Sequence, residues 1–411
     1  METAKFRSRA RVIDLLGRQQ IADAPTAVGE LFKNALDAAA GNAWVDFWPK
    51  EGVLTIRDDG LGMREDDVVG KWLVLATESR HSKPRIDDGW AKYATKEQKK
   101  WLAQPSYGEK GIGRLSVTTL GRMTLLWTVW GEGRDKRGTL CLVHWNLFRH
   151  PTKLFEDLPI PYIELKRPAT ITDVVDLFGA LRDSKEVKAV LKDDDWTDQL
   201  REELRSDLKL DIASALAKVE FRWDMGTTFC VLGPTDQVDD LFQKGRSETP
   251  PSEDFPPDWI KAFHAFSTFW DPFHNHSDRQ FTIHPRLSGK DLDRTHRYWD
   301  PTDFKECDHH IRITISKDGF AKGYVKNYGQ PKIPYERQLK HLPSGHSTPG
   351  EFLVEIGYVQ GNKADSPLAG RKGSLTGIGI FSRNIDSKGS MTFVGAGNLS
   401  NSWAVMRALL D

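Results

Sequence analysis

The spacing of apolar and polar residues predicts an amphipathic helix near the start of the chain, over residues 28–40. At about 100° of rotation per residue, Glu30, Asn34 and Asp37 lie within roughly 60° of one another. The opposite side of this helix is apolar and consists of Val28, Phe32, Ala35 and Ala39. The helix is therefore predicted to bury one face and to present two carboxylates and one carboxamide on the other.

Flanking residues predict where this helix begins and ends. Thr26 is a suitable N-cap, because its hydroxyl can accept a hydrogen bond from the first turn. Gly41 and Asn42 are suited to a left-handed stop at the other end.

Runs of β-branched and aromatic residues predict strands elsewhere in the first half. Residues 44–48 and 53–57 are separated by turn formers and predict a β-hairpin. Further strands are predicted at 122–130, 139–147 and 225–232, and a charged helical stretch is predicted at 171–219. In the second half, the pattern predicts helices at 259–270 and 403–410 and strands at 279–284, 310–316, 351–359 and 376–382.

Composition narrows the class of protein. A length of 411 residues predicts two or three domains, and the formal net charge of zero gives no general basic field for nucleic acid. The three cysteines are odd in number and far apart, which argues against a disulfide framework. No secretory h-region is present, and no apolar run reaches the roughly 18 residues that span a membrane. We therefore expect a cytoplasmic protein.

Two glycine-rich motifs carry candidate ligand chemistry. The first follows the predicted hairpin and contains Asp58, Gly60 and Gly62, where the backbone can approach a ligand closely. The second contains Gly108, Gly111 and Gly113 and precedes a helix-compatible run, which suits a phosphate cradle. Taken alone, the first motif is more often a plain turn and the second a hinge. The polar residues that lead into the second motif suit a lid, predicted at about 78–113.

The order of these motifs resembles that of the Bergerat-fold (GHKL) ATPases. Glu30, Asn34 and Asp37 come first, then the two glycine motifs, then Gly226-Thr227. That order is similar to the ATPase component of DNA gyrase, the large ATP-dependent heat-shock chaperone, MutL and MORC proteins, and sensor histidine kinases. The resemblance covers roughly residues 10–235. It implies an α+β fold, with a mixed, mainly antiparallel sheet covered by helices, followed by a second α/β, transducer-like domain.

The resemblance also implies roles for individual residues in binding ATP and Mg²⁺. Glu30 matches the general base that activates water, and Asn34 matches the Mg²⁺ ligand, with Asp37 supporting the network through water. Asp58 matches the aspartate that accepts the adenine amino hydrogen. The other residues implied in nucleotide binding are Gly60, Gly62, Met63, Gly108, Lys110, Gly111, Ile112, Gly113 and Thr227.

Several neighbouring residues have a simpler explanation. We interpret Asp59 as a turn residue. The histidines near Cys307 and at 274 and 276 lack the paired spacing of a structural zinc site, and we interpret them as ordinary surface or core residues. Candidates for a phosphate-sensing residue in the second half are Lys332, Lys363, Arg371 and Lys372.

These expectations define a domain plan and a set of functions. Residues 1–240 are predicted to form the ATP-binding domain with a helical insert at about 171–219, residues 241–257 a linker, and residues 258–411 the transducer-like domain. The implied activity is Mg²⁺-dependent ATP hydrolysis that drives ATP-gated homodimerisation, in DNA maintenance or prokaryotic defence, with DNA or an effector protein as further partners. The alternatives are a chaperone ATPase, a histidine kinase-like catalytic domain and a non-hydrolysing nucleotide sensor. A kinase is disfavoured because the motif begins near the N-terminus, without a preceding phosphoacceptor helix pair.

Overall fold

The structure is a computed structural model that describes most of the first half of the chain and parts of the second. The described residues are 8–18, 21, 24–75, 89–103, 113–236, 238, 281–291, 309–316, 318–339, 352–360, 391–399 and 402–410. The chain divides into two compact units. The first comprises Met1–Asp240 and Arg279–Leu292, and the second comprises Leu241–Asp278 and Asp293–Asp411.

An eight-stranded sheet forms the centre of the first unit. Its strands are β1 (Asn42–Trp48), β2 (Val53–Asp58), β3 (Gly121–Trp130), β4 (Arg137–His144), β5 (Tyr162–Leu165), β6 (Gly226–Pro234), β7 (Thr282–Leu287) and β8 (Lys290–Asp291). Their order across the sheet is β5-β4-β3-β6-β2-β1-β7-β8. Strands β1 and β7 pair in parallel, and the other neighbours are antiparallel. The predicted mixed, mainly antiparallel sheet is thus confirmed.

The first unit also contains short and medium-length helices before and between the strands of this sheet. They are α1 (Val12–Leu16), α2 (Ala24–Asp37), α3 (Glu65–Asp67), α4 (Lys96–Leu102), α5 (Val117–Leu120), α6 (Ile171–Asp183), α7 (Lys185–Val190), α8 (Asp198–Asp207) and α9 (Ile212–Ala215). A π-helical turn spans Val68–Trp72, and 3₁₀ turns span Trp90–Tyr93, Gly113–Ser116, Gly133–Asp135, Trp145–Arg149 and Phe155–Asp157. The last four α-helices agree with the helical stretch predicted at 171–219.

Helix α2 has the predicted apolar face, but its two ends differ from the prediction. It begins at Ala24, so Thr26 lies inside its first turn instead of capping it. Pro25 explains the earlier start, because its fixed φ and missing N–H suit the first turn of a helix. At the other end the left-handed residue is Ala39, with φ 58°, and not Gly41.

A Schellman motif centred on Ala39 explains why the helix ends at Asp37. The Ala40 N–H donates to the Ala35 carbonyl, and the Ala39 N–H donates to that of Leu36, both at about 3 Å. The four residues that form the apolar face, Val28, Phe32, Ala35 and Ala39, are each at most 3% exposed.

Strands β7 and β8 follow the predicted linker in sequence, yet they belong to the sheet of the first unit. Residues 282–287 pair in register with residues 42–47 of β1. Just before β7, the Phe281 ring packs edge-on against Phe32 of α2, with the ring centroids 6.2 Å apart. The first unit is therefore built from two separate stretches of the chain.

The described residues of the second unit form a six-stranded antiparallel sheet. Its strands are β9 (His309–Ile315), β10 (Phe320–Lys326), β11 (Ile333–Gln338), β12 (Phe352–Gln360), β13 (Met391–Leu399) and β14 (Ser402–Leu410), in the order β11-β10-β9-β12-β14-β13. The helix predicted at 403–410 is wrong, because β14 pairs with a strand on each side. A short apolar run does not distinguish a buried strand from a buried helix. The predicted linker at 241–257, helix at 259–270 and strand at 376–382 lie outside the described residues.

Within the part of the chain that the structure describes, no helix is both long enough and apolar enough to cross a membrane.

Candidate functional site

Helix α2 presents the first group of predicted site residues. Glu30 and Asn34 are partly exposed on this helix, while Asp37 at its end is buried, with 7% exposure. The Lys33 ammonium lies 2.5 Å from Glu30 Oε1 and forms an i,i+3 ion pair with it. The carboxylate and the carboxamide thus lie one turn apart on the same helix, above its buried apolar face.

Asp58 lies at the end of β2 and is 8% exposed. Its Oδ1 accepts a hydrogen bond from the Gly60 N–H at 2.8 Å, and the backbone N–H of Thr227 donates to the same carboxylate. Burial raises the pKa of Asp58 to about 7, and the neighbouring charge of Asp59 adds to this effect, against the two hydrogen bonds. A carboxylate offers about four acceptor positions, so two donors leave capacity for a ligand.

The loop after Asp58 requires glycine for steric reasons. Gly62 has φ 68°, and a Cβ on it would lie 2.0 Å from the Val129 carbonyl oxygen. A Cβ on Gly60 would lie 2.8 Å from the carbonyl oxygen of Ala38, which also accepts the Leu61 N–H at 2.9 Å. The loop is therefore packed tightly between the end of α2 and the end of β3.

Hydroxyl groups connect this loop to the sheet. The Met63 N–H donates to Thr128 Oγ1 at 2.9 Å, and this oxygen lies 3.1 Å from Thr227 Oγ1. Thr227 and Asp58 are buried, and Thr227 pairs in register with Thr128 across β6 and β3. The structure therefore brings together Asp58, Gly60, Gly62, Met63 and Thr227.

Gly113 connects the second glycine motif to helix α2. A Cβ on Gly113 would lie 2.8 Å from Glu30 Oε2, so a side chain at this position would displace the Glu30 carboxylate. Gly113 begins a 3₁₀ turn that continues into α5, as expected for a loop that ends at a helix start. The other predicted residues of this motif, Gly108, Lys110, Gly111 and Ile112, lie outside the described residues.

Asp59 has the structural role that we interpreted for it. Its Oδ1 accepts the backbone N–H groups of Gly41 and Asn42 at 2.8 and 2.7 Å, and its Oδ2 accepts the Asn42 side-chain amide at 2.8 Å. These three hydrogen bonds hold the turn between α2 and β1 and occupy most of the acceptor positions of the carboxylate.

The described histidines of the second unit do not form a metal site. His310 is 1% exposed, and its Nδ1 lies 3.2 Å from the Tyr324 hydroxyl. Among the residues that the structure describes, no three His, Cys, Asp or Glu side chains come together as a metal site would require. Cys307 and the histidines at 274 and 276 lie outside this set, as do Lys363, Arg371 and Lys372. Lys332 stacks over the Tyr324 ring, with its Nζ 4.1 Å from the centroid.

Two residues at the site were missed by the sequence interpretation. Thr128 is a lone hydroxyl near the end of an apolar strand, which is a weak signal for a buried hydrogen-bonding role. Trp90, in the predicted lid, donates its indole N–H to the Gly62 carbonyl at 2.8 Å. Residues 89–103 of the predicted lid contain a 3₁₀ turn and helix α4, and Trp90, Ala91, Ala94 and Leu102 are buried there against Ala39 and Leu61. No local pattern indicates these long-range contacts.

These residues fit an adenine nucleotide with Mg²⁺. Asp58 is a buried acceptor with remaining capacity, as recognition of an exocyclic amine requires. The Asn34 amide supplies the kind of oxygen that Mg²⁺ prefers. Because Mg²⁺ usually completes its coordination with water and substrate phosphates, a single protein oxygen on α2 would be enough to hold it.

Comparison with known proteins identifies the class of domain. Residues 23–173 match the family model described as histidine kinase-, DNA gyrase B-, and HSP90-like ATPase. A search among curated proteins finds no match to the chain. The matched stretch contains α2, the Asp58–Met63 loop and Gly113, and its strands belong to the mixed sheet that the resemblance implied. The match over residues 23–173 therefore supports a nucleotide-binding domain of the Bergerat-fold ATPase superfamily in the first unit.

Proposed function

We propose that the protein binds ATP with Mg²⁺ and hydrolyses its terminal phosphoanhydride. The observation that carries this proposal is the placement of Gly113 directly against the Glu30 carboxylate, since it joins the end of a predicted phosphate loop to a predicted general base. Asn34 lies one turn further along the same helix. Phosphate binding, metal binding and water activation would thus take place at one location.

Each residue has a distinct role in this proposal. Asp58 accepts a hydrogen from the adenine amino group, and Gly62, Met63 and Thr227 line that pocket. The N–H groups of the second glycine motif hold the phosphates, and Asn34 contributes an oxygen ligand to Mg²⁺. When bound, Mg²⁺ neutralises charge on the phosphates. Glu30 takes a proton from the attacking water, a role that an anionic carboxylate beside the phosphates can fill.

The experiment that tests this proposal replaces the general base. Glu30→Gln keeps the size of the side chain and removes its basicity, so we expect ATP binding to be retained and hydrolysis to fall by about 10²- to 10⁴-fold. Binding is measured by calorimetry and turnover by phosphate release. Glu132→Gln is the matched control, because Glu132 is an exposed glutamate outside the predicted lid and should leave turnover unchanged. Unchanged turnover in Glu30→Gln would exclude Glu30 as the base. Binding without any turnover in the unaltered protein would instead indicate a nucleotide sensor.

We further propose that ATP binding drives association of two protomers. This proposal rests on the resemblance to ATP-gated clamps of the same superfamily. Sedimentation with a non-hydrolysable ATP analogue should show a dimer, and sedimentation without nucleotide a monomer.

Turnover measured with and without DNA tests a role in DNA maintenance or defence, since DNA should stimulate the ATPase activity in such a role. A chaperone would show no such response.

A further inference from the structure

One peptide group in the candidate adenine pocket is held from both of its sides. The Gly62 carbonyl and the Met63 N–H belong to the same peptide plane. The carbonyl accepts the indole N–H of Trp90 at 2.8 Å, and the N–H donates to Thr128 Oγ1 at 2.9 Å. The orientation of this plane is thus fixed by one side chain on each side.

These two hydrogen bonds are needed because Gly62 is conformationally permissive. Glycine adopts positive and negative φ about equally well, so the peptide after it can rotate at little cost. Rotation would turn the Met63 N–H away from Thr128. The Thr128 hydroxyl lies 3.1 Å from that of Thr227, whose backbone N–H donates to Asp58. The orientation of one peptide is therefore connected by hydrogen bonds to the Asp58 carboxylate.

Strand β3 contributes to both of these hydrogen bonds, because it carries the acceptor Thr128 and also contacts the donor Trp90. Thr128 and Trp130 are two residues apart, so their side chains leave β3 on the same face. The Trp130 indole N–H donates to the Trp90 carbonyl at 2.9 Å. Trp90 is itself 8% exposed and packs with Ala39 and Leu61 in one apolar cluster. The indole that reaches Gly62 is therefore well fixed in place.

We propose that Trp90 is a positioning residue for recognition of the nucleotide base. It holds the Gly62–Met63 peptide so that, through Thr128 and Thr227, Asp58 is aimed at an exocyclic amine of a purine. This inference rests on the proposed ATP binding and adds to it a residue that determines base selectivity without touching the base. A purely structural role in the apolar cluster is the alternative, and the two differ in what they predict for selectivity.

The test removes the indole N–H and keeps an aromatic ring. Trp90→Phe is expected to weaken ATP binding about tenfold, since the Gly62 carbonyl loses its partner. The decisive measurement is the ratio of the affinities for ATP and for purine riboside triphosphate, which lacks the 6-amino group. This ratio should fall toward one in Trp90→Phe, because the Asp58 carboxylate is no longer oriented to accept a hydrogen from the amino group. Loss of packing alone would lower the thermal midpoint and leave the ratio unchanged.

Trp196→Phe is the matched control. Trp196 is also buried, with 3% exposure, but its Nε1 has no hydrogen-bond partner among the residues that the structure describes. The same chemical change there should leave both the affinity and the ratio as in the unaltered protein.

A second pair of variants tests the other side of the peptide, in case Trp90→Phe fails to fold. Thr128→Val removes the hydroxyl and should lower the ratio, whereas Thr128→Ser keeps the hydroxyl and should preserve it. If the ratio stays unchanged in Trp90→Phe, the inference is overturned and the proposed ATP binding is left intact. If Trp90→Phe does not fold, an unchanged ratio in Thr128→Val has the same consequence. Failure of the unaltered protein to bind ATP would overturn both.

Discussion

Asp58 has a pKa of about 7 because it is buried, so its charge changes within the physiological range. Under the proposed function, the ionised form is the better acceptor for the adenine amino group. With a pKa near 7, most Asp58 carboxyls are protonated at pH 6 and most are ionised at pH 8. We therefore expect ATP to bind about tenfold more weakly at pH 6 than at pH 8.

The phosphates of the ligand also titrate in this range, so the measurement needs a matched ligand. Purine riboside triphosphate has the same phosphates and lacks the amino group, so its affinity reports their contribution alone. The ratio of the two affinities should rise between pH 6 and pH 8. A ratio that stays flat with pH would contradict this account of Asp58.

The same raised pKa predicts how stability depends on pH. The folded state holds the Asp58 proton more tightly than the unfolded state, where the pKa is about 4. The resulting contribution to stability is fully present below pH 4 and is lost as the pH rises through about 7. The ligand-free protein should therefore show a decline in unfolding free energy over this range that Asp58→Asn reduces. Urea denaturation at pH 5 and pH 8 measures it.

A comparison of Gly62 with Gly52 distinguishes two ways in which an added side chain destabilises the protein, backbone strain and steric clash. Both glycines have positive φ, 68° and 65°, but a Cβ on Gly52 meets no atom of the described residues within 4 Å, whereas one on Gly62 would lie 2.0 Å from the Val129 carbonyl oxygen. Gly52→Ala should cost about 1 kcal/mol of stability from backbone strain alone. Gly62→Ala should cost about 3 kcal/mol or more and weaken ATP binding. Urea midpoints measure the first effect and calorimetry the second. Equal losses in the two variants would contradict the close approach at Gly62.

At the scale of elements, helix α8 is held to the sheet by an ion pair between its buried Asp207 carboxylate and a partly exposed arginine. Arg122 of β3 donates to Asp207 with Nε 3.0 and 2.9 Å from its two oxygens, and His144 Nε2 of β4 lies 3.3 Å from Oδ2. Burial alone would raise the pKa of Asp207, but the adjacent His144 imidazole and the hydrogen bonds from Arg122 lower it. Its stabilising contribution is therefore present above pH 4 and lost as the pH falls through the depressed value.

Asp207→Asn should consequently cost about 1–3 kcal/mol of stability, because it removes the buried acceptor that Arg122 and His144 contact. The control is Asp198→Asn, on the same helix, where the aspartate side chain is 95% exposed and pairs with Arg201. That variant should cost less than about 1 kcal/mol. Thermal unfolding at pH 7 compares the two, and similar losses would show that burial of the pair is unimportant.

Sequence patterns predicted some elements of this protein well and others not at all. Helix α2 was predictable because its apolar period is long and one-sided, and the first hairpin because turn formers separate two β-rich runs. The strand at 402–410 was not, because a short apolar run suits either a strand or a helix. Trp90 was missed for a different reason. Its role depends on a contact with Gly62, 28 positions away, and no local pattern encodes such a contact.

At the scale of the whole molecule, the chain leaves the first unit and returns to it. Residues up to 240 build most of the eight-stranded sheet, and residues 279–292 complete it after an intervening stretch that belongs to the second unit. The returning segment pairs with β1, stacks His284 on Trp44 with centroids 5.1 Å apart, and places Phe281 against Phe32. Phe32 lies on the helix that carries Glu30 and Asn34, so the returning segment packs against the buried apolar face of this helix.

This arrangement predicts that a fragment ending at residue 240 is incomplete, although the predicted domain boundary lies there. Without β7, the edge of β1 is unpaired and Phe32 loses its contact with Phe281, which is 7% exposed. We expect fragment 1–240 to unfold at a lower temperature than fragment 1–292 and to bind ATP more weakly. Phe281→Ala in the full chain isolates the ring contact and should cost about 3 kcal/mol of stability. If fragments 1–240 and 1–292 unfold at the same temperature with equal ATP affinity, the returning strand does not support helix α2, and the nucleotide site depends on residues 1–240 alone.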